Sequence, residues 1–454
     1  MTPGLRASGR RPNILLVMAD QLAAHVLDRD PGGVRTPHLD GLRAAGADFA
    51  RAYVSFPLCV PSRASMLTGR MPHEVGVNGN RPADEVEPGT RPDSLGHLLT
   101  AAGYDCAYAG KWHATTPEPP ENAGFQVIHP FGDVGLVDAC AAWLADRDDT
   151  GSPFLLVASF DDPHTICEYA RNQPLPYGEV ERGDVREAPA LPHNFAPAPY
   201  ESQAVREERS RAAASYGTLD FSPDDWRHYR GAYRRLIERF DAHLGDLLTG
   251  LDASGQADST IVIVTSDHGD GDAAHGWNQK TALFEECVRV PLVVSGPDVE
   301  PGMRSIRVSA GIDLLPTLLE FAKAPRPSGL TGTPLPLAET GENGTVHDRS
   351  IIIETLFDHA VAPRTQGRAI YHGRHKYVVY SRGRHREQLF DLEVDPGEMR
   401  NLAVESAADG ILDDMRERLF EWCCASDDRD FLTFLALPSS VGPEVHRTIF
   451  TPPY

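Results

Sequence analysis

The sequence lacks the features that mark secreted, membrane-spanning and disulfide-bonded proteins. Near the amino terminus, residues 14–19 form an apolar run of six residues, too short for a signal-peptide core or a spanning helix. The seven cysteines are an odd number and include no C-x-x-C pair, unlike a framework of disulfides. We therefore expect reduced thiols, a cytoplasmic location and no membrane partner.

Positive charge is also scarce in this chain of 454 residues. Its 43 lysines and arginines are outnumbered by 65 aspartates and glutamates, which gives a net charge of −22. Such a surface repels nucleic acid and anionic membranes, so we expect no nucleic-acid partner. An anionic substrate would need a local cluster of positive groups.

Apolar runs of strand length alternate with stretches of helical period, which is typical of α/β proteins. The apolar runs lack polar alternation, so we expect strands buried on both faces of a large, mostly parallel mixed sheet flanked by helices. Strands are predicted at 13–19, 105–109, 153–160 and 260–265, and helices at 37–45, 93–102, 137–145 and 224–251. Shorter strands near 350–355, 369–371, 376–380 and 388–392 predict a smaller, antiparallel C-terminal sheet.

A stretch rich in proline, glycine and threonine at 325–345 predicts the main domain boundary. We expect a catalytic domain over residues 1–340 and an α+β subdomain over 341–425. The tail over 426–454 is rich in Phe, Leu and Pro. It is predicted to pack at a subunit interface of a homo-oligomer, with packing on its own domain as the alternative.

Polar residues follow four of the predicted buried strands at the point where each strand ends. Ligands of open α/β sheets bind in this crevice. Carboxylate and imidazole groups such as those of Asp20, Asp267 and His268 suit a hard or borderline divalent cation. The four segments are Asp20-Gln21, Lys111 to His113, Asp161 to His164 and Asp267-His268.

Residues 59–70, CVPSRASMLTGR, are the most specific segment of the chain. The pattern C-x-P-S-R followed by L-T-G-R resembles the signature of the sulfatase family, within the alkaline phosphatase superfamily. The resemblance extends over residues 11–405, through GKWH at 110–113, SDHG at 266–269 and RVPL at 289–292. It implies an alkaline phosphatase-like fold and an arylsulfatase-like enzyme that hydrolyses a sulfate monoester to an alcohol and inorganic sulfate.

The resemblance implies that Cys59 is converted to formylglycine (3-oxoalanine) by a separate formylglycine-generating enzyme. One hydroxyl of the hydrated aldehyde would attack sulfur, and the second would let the covalent intermediate expel sulfate. Ser62 is predicted to open a helix whose amino terminus faces the anion.

A divalent metal is implied by the same resemblance, with Asp20, Gln21, Cys59, Asp267 and His268 as its ligands. Calcium is expected, with manganese or magnesium as alternatives. Many relatives have aspartate in place of Gln21 and asparagine in place of His268. Both departures occur together in a subgroup that resembles choline sulfatases and phosphonate monoester hydrolases.

The remaining implied site residues are mostly cationic. Arg63 would hold the formylglycine and the metal-site carboxylates in position. Lys111 and Lys280 would contact the sulfate oxygens. His113 would act as the base for sulfate release, and His164 would donate a proton to the leaving oxygen. Asn80 would lie either at the pocket rim or in a plain turn.

Two other functions remain open at this point. A phosphonate monoester hydrolase or phosphodiesterase could use the same site, although Lys111 and His113 favour a sulfatase. A non-catalytic binding protein would keep Cys59 as a thiol. The net charge favours a small or singly sulfated substrate over a heavily sulfated polymer. The aromatic and charged stretch over 165–230 forms either a pocket wall or a solvated loop.

Overall fold

The computed structural model describes residues 11–28, 33–80, 87–116, 118–147, 151–337, 349–357 and 364–442. The predicted boundary at 340/341 and the last twelve residues of the predicted tail lie outside these ranges. Among the residues described, no helix is both long enough and apolar enough to cross a membrane. All seven cysteines lie within the described ranges and are free thiols.

An eight-stranded sheet forms the body of the protein, in the order β4-β3-β5-β1-β6-β7-β2-β8. Strand β7 runs antiparallel to both of its neighbours, and the other adjacent pairs are parallel. The predicted mostly parallel mixed sheet is therefore confirmed. The strands are β1 (Asn13–Asp20), β2 (Ala47–Tyr53), β3 (Asp105–Gly110), β4 (Gln126–His129), β5 (Phe154–Pro163), β6 (Thr260–Ser266), β7 (Leu292–Ser295) and β8 (Gly302–Ser309).

Helices cover both faces of this sheet, and a hydrophobic core lies on each side of it. The α-helices are α1 (Pro37–Ala45), α2 (Cys59–Thr68), α3 (Leu95–Ala101), α4 (Leu136–Ala145), α5 (Ile166–Ala170), α6 (Gln203–Tyr216), α7 (Pro223–Ala253), α8 (Glu285–Val288), α9 (Leu314–Phe321), α10 (Asp409–Ala425) and α11 (Arg429–Leu432). Single 3₁₀ turns lie at Ala24–Leu27, Pro72–Val75, Pro88–Thr90, Ala257–Ser259, Ala274–Gly276, Leu402–Val404 and Ser406–Ala408.

The sequence of α7, the longest of these helices, determines where the helix begins and which of its faces is buried. Ser222 caps its start: the Ser222 hydroxyl accepts a hydrogen bond from the Asp225 N–H, and the Asp225 carboxylate accepts one from the Ser222 N–H. Pro223 occupies the first helical position, where its missing N–H costs no hydrogen bond. Buried residues such as Tyr233, Ile237 and Leu244 then recur at helical spacing and pack α7 against β5.

A second, antiparallel sheet follows in the order β12-β11-β10-β9. Its strands are β9 (Ile351–Phe357), β10 (Thr365–His372), β11 (His375–Tyr380) and β12 (Glu387–Asp391). Helix α10 packs on this sheet, and Leu419 and Phe431 are buried in their shared core. The described part of the tail therefore packs on its own chain, and the expected contact with another subunit stays a prediction.

A partly buried ion pair joins the segment after α2 to the second sheet. His73 Nδ1 lies 2.5 Å from Glu354 Oε1, and His73 Nε2 lies 3.1 Å from the Ser426 carbonyl oxygen. Burial disfavours the charged imidazole, but the hydrogen bond to Glu354 and its charge raise the pKa of His73 to about 9. The protonated ring donates to both acceptors.

We predict that this pair makes the stability of the protein depend on pH. Because the folded pKa lies above the unfolded value, the contribution is complete below about pH 6.5 and is lost as the pH rises through about 9. A shift of this size corresponds to about 3 kcal/mol. Urea unfolding of wild type and His73→Gln between pH 6 and 10 would measure it; parallel pH profiles for the two proteins would contradict the prediction.

Candidate active site

The carboxyl ends of four adjacent strands meet at one edge of the main sheet. Strands β3, β5, β1 and β6 are neighbours, with Gly110 paired to Ser159 and Ala19 paired to Ser266. The polar segments that follow these strands are therefore brought together, as parallel pairing requires. Helix α2 approaches the same edge with its amino-terminal residue, Cys59.

Four side chains at this edge could hold a metal ion. Asp20, Cys59, Asp267 and His268 each offer one ligand atom, and these atoms all lie within 4.8 Å of one another. All four side chains are fully buried. Two carboxylates and an imidazole form a donor set that fits a divalent cation.

Gln21 adjoins this ligand group but is held by other partners. Its backbone N–H donates to Asp267 Oδ1 at 3.1 Å, and its side-chain Nε2 donates to Asp270 Oδ2 at 2.6 Å. Its Oε1 accepts a hydrogen bond from Lys280 Nζ at 3.2 Å. Its place as a metal ligand stays a prediction.

Cys59 is the first residue of α2, not a residue of the preceding loop. The helix was predicted to open at Ser62 and begins three residues earlier, because a proline such as Pro61 is tolerated in a first turn. The Cys59 Sγ atom therefore lies at the amino terminus of a helix, where the helix dipole favours negative charge.

The charge environment of Cys59 favours an anion. Its Sγ lies 3.2 Å from Lys280 Nζ and 3.2 Å from His268 Nε2. Burial and the Asp20 carboxylate oppose ionisation of the thiol. Lys280, His268 and a hydrogen bond with His113 outweigh them and hold the pKa of Cys59 well below the ordinary value.

Arg63, one turn further along α2, joins the two carboxylates of the ligand group. Its Nε donates to Asp267 Oδ2 at 2.7 Å and its Nη2 to Asp20 Oδ2 at 3.2 Å. Its Nη1 donates to the Lys111 carbonyl oxygen at 2.7 Å and to Ser159 Oγ at 2.9 Å. Burial disfavours the charge, but Asp267 and Asp20 raise the pKa of Arg63.

The two predicted sulfate-binding lysines contact different members of the ligand group. Lys111 Nζ lies 2.8 Å from Asp20 Oδ2 and 2.8 Å from Asp161 Oδ1. Burial disfavours its charge, but Asp161 and Asp20 raise the pKa of Lys111 well above the ordinary value. Lys280 contacts Cys59 and Gln21, so both cations are buried against the predicted site.

The two predicted site histidines differ in their partners. His113 Nδ1 is buried and has no hydrogen-bond partner among the described residues. His164 Nδ1 lies 3.9 Å from Asp161 Oδ1. Burial lowers the pKa of His164, but the nearby Cys167 thiol and the Asp20 carboxylate raise it well above the ordinary value despite the two lysines.

Asn80 lies at the amino terminus of α2. Its Oδ1 accepts a hydrogen bond from the Val60 N–H at 3.3 Å. This contact places Asn80 next to Cys59, while its predicted contact with substrate stays untested.

Several residues at the site have an unusual backbone conformation. Non-glycine residues with positive φ are uncommon, and they cluster at functional sites. Four of them flank the site residues: Gln21 (φ 71°), His113 (φ 45°), Gln279 (φ 78°) and Thr281 (φ 74°).

Two residues at the site received no role from the sequence. Asp161, at the end of a predicted strand, contacts Lys111 and His164. Gln279 accepts from Cys167 Sγ at 3.1 Å, and its buried Nε2 has no partner in the part of the chain that the structure describes. The position of Asp161, three residues before His164 at a strand end, was the available signal; nothing in the sequence singled out Gln279.

Comparison with known families decides the identity of this site. The Sulfatase family model matches residues 12–130 and 119–324, well over half of the chain. The protein belongs to the sulfatase family. A second model, N-sulphoglucosamine sulphohydrolase C-terminal, matches residues 273–424. The predicted family is thus confirmed, and this sulfatase is a sulfuric ester hydrolase that hydrolyses sulfate esters.

Individual relatives resemble this sulfatase over most of their length. The Delta 4,5-hexuronate-2-O-sulfatase of Bacteroides thetaiotaomicron is 28% identical, over 92% of this chain and 90% of the relative. The choline-sulfatase of Rhizobium meliloti is 28% identical, over 87% of this chain and 82% of the relative.

Solved structures share the fold. A 2-O GAG sulfatase superposes with a TM-score of 0.78 at 25% identity, covering 94% of this sulfatase and 95% of that chain. The phosphonate monoester hydrolase of Agrobacterium radiobacter superposes with a TM-score of 0.72 at 22% identity, covering 92% and 96% of the two chains. The second likeness shows the fold alone.

Proposed function

We propose that this sulfatase hydrolyses a small sulfate monoester with a formylglycine derived from Cys59 as its nucleophile. The observation that carries the proposal is the position of Cys59. It is the first residue of a helix, and its Sγ lies within 4.8 Å of ligand atoms of Asp20, Asp267 and His268. A nucleophile at that point has a helix amino terminus and Lys280 beside it to stabilise an anion.

The sulfatase family uses a divalent metal, and the buried donor set fits one. We propose that Asp20, Asp267, His268, the modified Cys59 and Gln21 hold it, with Ca²⁺ as the ion and Mn²⁺ or Mg²⁺ as alternatives. When bound, the cation supplies Lewis-acid stabilisation of negative charge on oxygen. Elemental analysis of the purified protein would identify the ion.

The resemblance to the sulfatase family supports the remaining roles. Arg63 fixes the carboxylates of Asp20 and Asp267 through its planar fork. Lys111 and Lys280 contact sulfate oxygens, where negative charge develops. His113 acts as the base for sulfate release, His164 donates a proton to the leaving oxygen, and Asn80 lies at the pocket rim.

The partners of this sulfatase are a formylglycine-generating enzyme during maturation and a small, singly sulfated substrate. The net charge of −22 supports a small substrate, because the whole surface repels a heavily sulfated polymer. We place the enzyme in the cytoplasm, as a homo-oligomer.

Paired aryl sulfate and aryl phosphonate esters test the reaction. We expect a large preference for the sulfate, because the family model and the full-length relatives that match this chain are sulfatases. The measurement is kcat/KM for both esters with protein purified from a host that contains the maturation enzyme. A large preference for the phosphonate would overturn the assignment of substrate.

The mass of the Cys59 peptide tests the nucleophile independently of turnover. Conversion of the thiol to the aldehyde lowers the mass by about 18 Da. An unaltered thiol in an active preparation would overturn the formylglycine proposal and leave the sulfatase activity standing.

A further inference from the structure

Asp161 contacts two of the residues to which the proposed function assigns contact with the substrate. Its Oδ1 accepts a hydrogen bond from Lys111 Nζ at 2.8 Å and lies 3.9 Å from His164 Nδ1. The backbone N–H of His164 also donates a hydrogen bond to the backbone carbonyl oxygen of Asp161 at 2.8 Å. One residue thus contacts the ammonium group assigned to sulfate and the imidazole assigned to the leaving oxygen.

Asp161 is itself held from two sides. Its Oδ2 accepts a hydrogen bond from the Tyr177 hydroxyl at 3.1 Å. Its backbone N–H donates to Asp133 Oδ1 at 2.7 Å. Because both carboxylate oxygens have partners and the side chain is 8% exposed, its position is fixed before substrate binds.

We propose that Asp161 is a positioning residue for sulfate ester hydrolysis, and that it holds Lys111 and His164 in the geometry the reaction needs. The inference rests on the proposed function, from which it takes the roles of those two residues. Tyr177 supports the carboxylate and gives the stretch over 165–230 a place in the wall of the site.

The Lys111 ammonium group is paired with two carboxylates at once, and this explains why Asp161 is needed. Lys111 Nζ lies 2.8 Å from the carboxylates of both Asp161 and Asp20, and Asp20 belongs to the metal-ligand group. Without Asp161, the ammonium would pair with Asp20 alone and withdraw toward the metal ligands. Small displacements of such groups are enough to slow a reaction that depends on alignment.

The contact with His164 makes a more selective prediction. Proton donation to the leaving oxygen matters most when the leaving group is a poor one, such as a weakly acidic phenol. A misaligned His164 should therefore slow poor leaving groups more than good ones. A general loss of folded protein would slow all substrates by the same factor.

The test compares Asp161→Asn and Tyr177→Phe with the neighbouring control Asp162→Asn. Asp162 is buried and accepts a hydrogen bond from Arg239 at 2.5 Å, so its variant removes the same charge one residue away. The measurements are kcat and KM for aryl sulfates whose phenols span a range of acidity, with metal and formylglycine content matched. Inhibition by inorganic sulfate is measured in parallel.

We expect Asp161→Asn to lower kcat/KM about 10- to 100-fold for the poorest leaving groups and less for the best. Sulfate should inhibit this variant more weakly than wild type, because Lys111 has moved. Tyr177→Phe should show the same dependence on leaving group with a smaller loss. Asp162→Asn should change kcat/KM by the same factor for every substrate.

Two results would overturn the inference in different ways. An active wild type with an equal loss for every leaving group in Asp161→Asn would remove the positioning role and leave the proposed function intact. A fully matured wild type that turns over none of the sulfates would overturn the proposed function and this role together. If Asp161→Asn does not fold, a Tyr177→Phe variant without any dependence on leaving group would decide against the role.

Discussion

Replacement of Cys59 by alanine is expected to abolish sulfate ester hydrolysis. Alanine cannot be converted to formylglycine and carries no group that can attack sulfur, so the loss in kcat should be on the order of 10⁴-fold or more. The fold should survive, because Cys59 is the amino-terminal residue of α2 and the change removes one buried sulfur atom. Steady-state assay and thermal unfolding would be measured on the same preparation.

Cys140→Ala is the matched control for this prediction. Cys140 is also a fully buried thiol, but it lies in α4 within a hydrophobic core, where burial alone raises its pKa. The Cys140→Ala variant should lose some stability and keep the kcat of the wild type. Residual turnover in Cys59→Ala above a few per cent of wild type would show that another group attacks the sulfate.

Burial on both faces made three strands of the main sheet predictable from the sequence. Strands β1, β5 and β6 lie side by side in the sheet and read as continuous apolar runs. The edge strand β8 was not predicted, because Met303 is 68% exposed and charged residues interrupt its apolar pattern. Strand β4, at the other edge, has only four residues, none of them fully buried.

In the candidate site, residues within one sequence motif were predicted, and residues that meet only in the folded chain were not. Residues such as Cys59 and Arg63 were predicted because they stand within one contiguous motif. The role of Asp161 depends on a contact with Lys111 across fifty positions of the chain, and its support depends on Tyr177 in an irregular segment. Local spacing carries no information about such a contact, since the pairing of β3 with β5 creates it.

Replacement of Arg63 by methionine is expected to destabilise the metal-free protein by about 3–5 kcal/mol. Arg63 is 1% exposed and pairs with the fully buried carboxylates of Asp20 and Asp267 at 3.2 and 2.7 Å. Methionine keeps only the aliphatic part of the side chain, so Asp267 loses its guanidinium partner and Asp20 keeps Lys111 alone. Burial and the Asp20 carboxylate already raise the pKa of Asp267, so loss of Arg63 would raise it further.

Arg43→Met is the control for this change, because Arg43 forms a 2.8 Å pair with Asp48 that is only partly buried. Its effect on the free energy of unfolding should be much smaller. Urea unfolding of both variants and wild type would be compared with and without added Ca²⁺. An Arg63→Met variant as stable as Arg43→Met would show that the two buried carboxylates do not need the guanidinium group.

The dependence of the Arg63→Met effect on Ca²⁺ separates its two roles. A bound cation restores positive charge between Asp20 and Asp267, so added Ca²⁺ should recover part of the lost stability. Activity should not recover with it, because the planar fork of Arg63 also orients those carboxylates and contacts the Lys111 carbonyl oxygen. If Ca²⁺ restored both stability and activity, Arg63 would contribute only its charge. If Ca²⁺ restored neither stability nor activity, the cation would bind elsewhere.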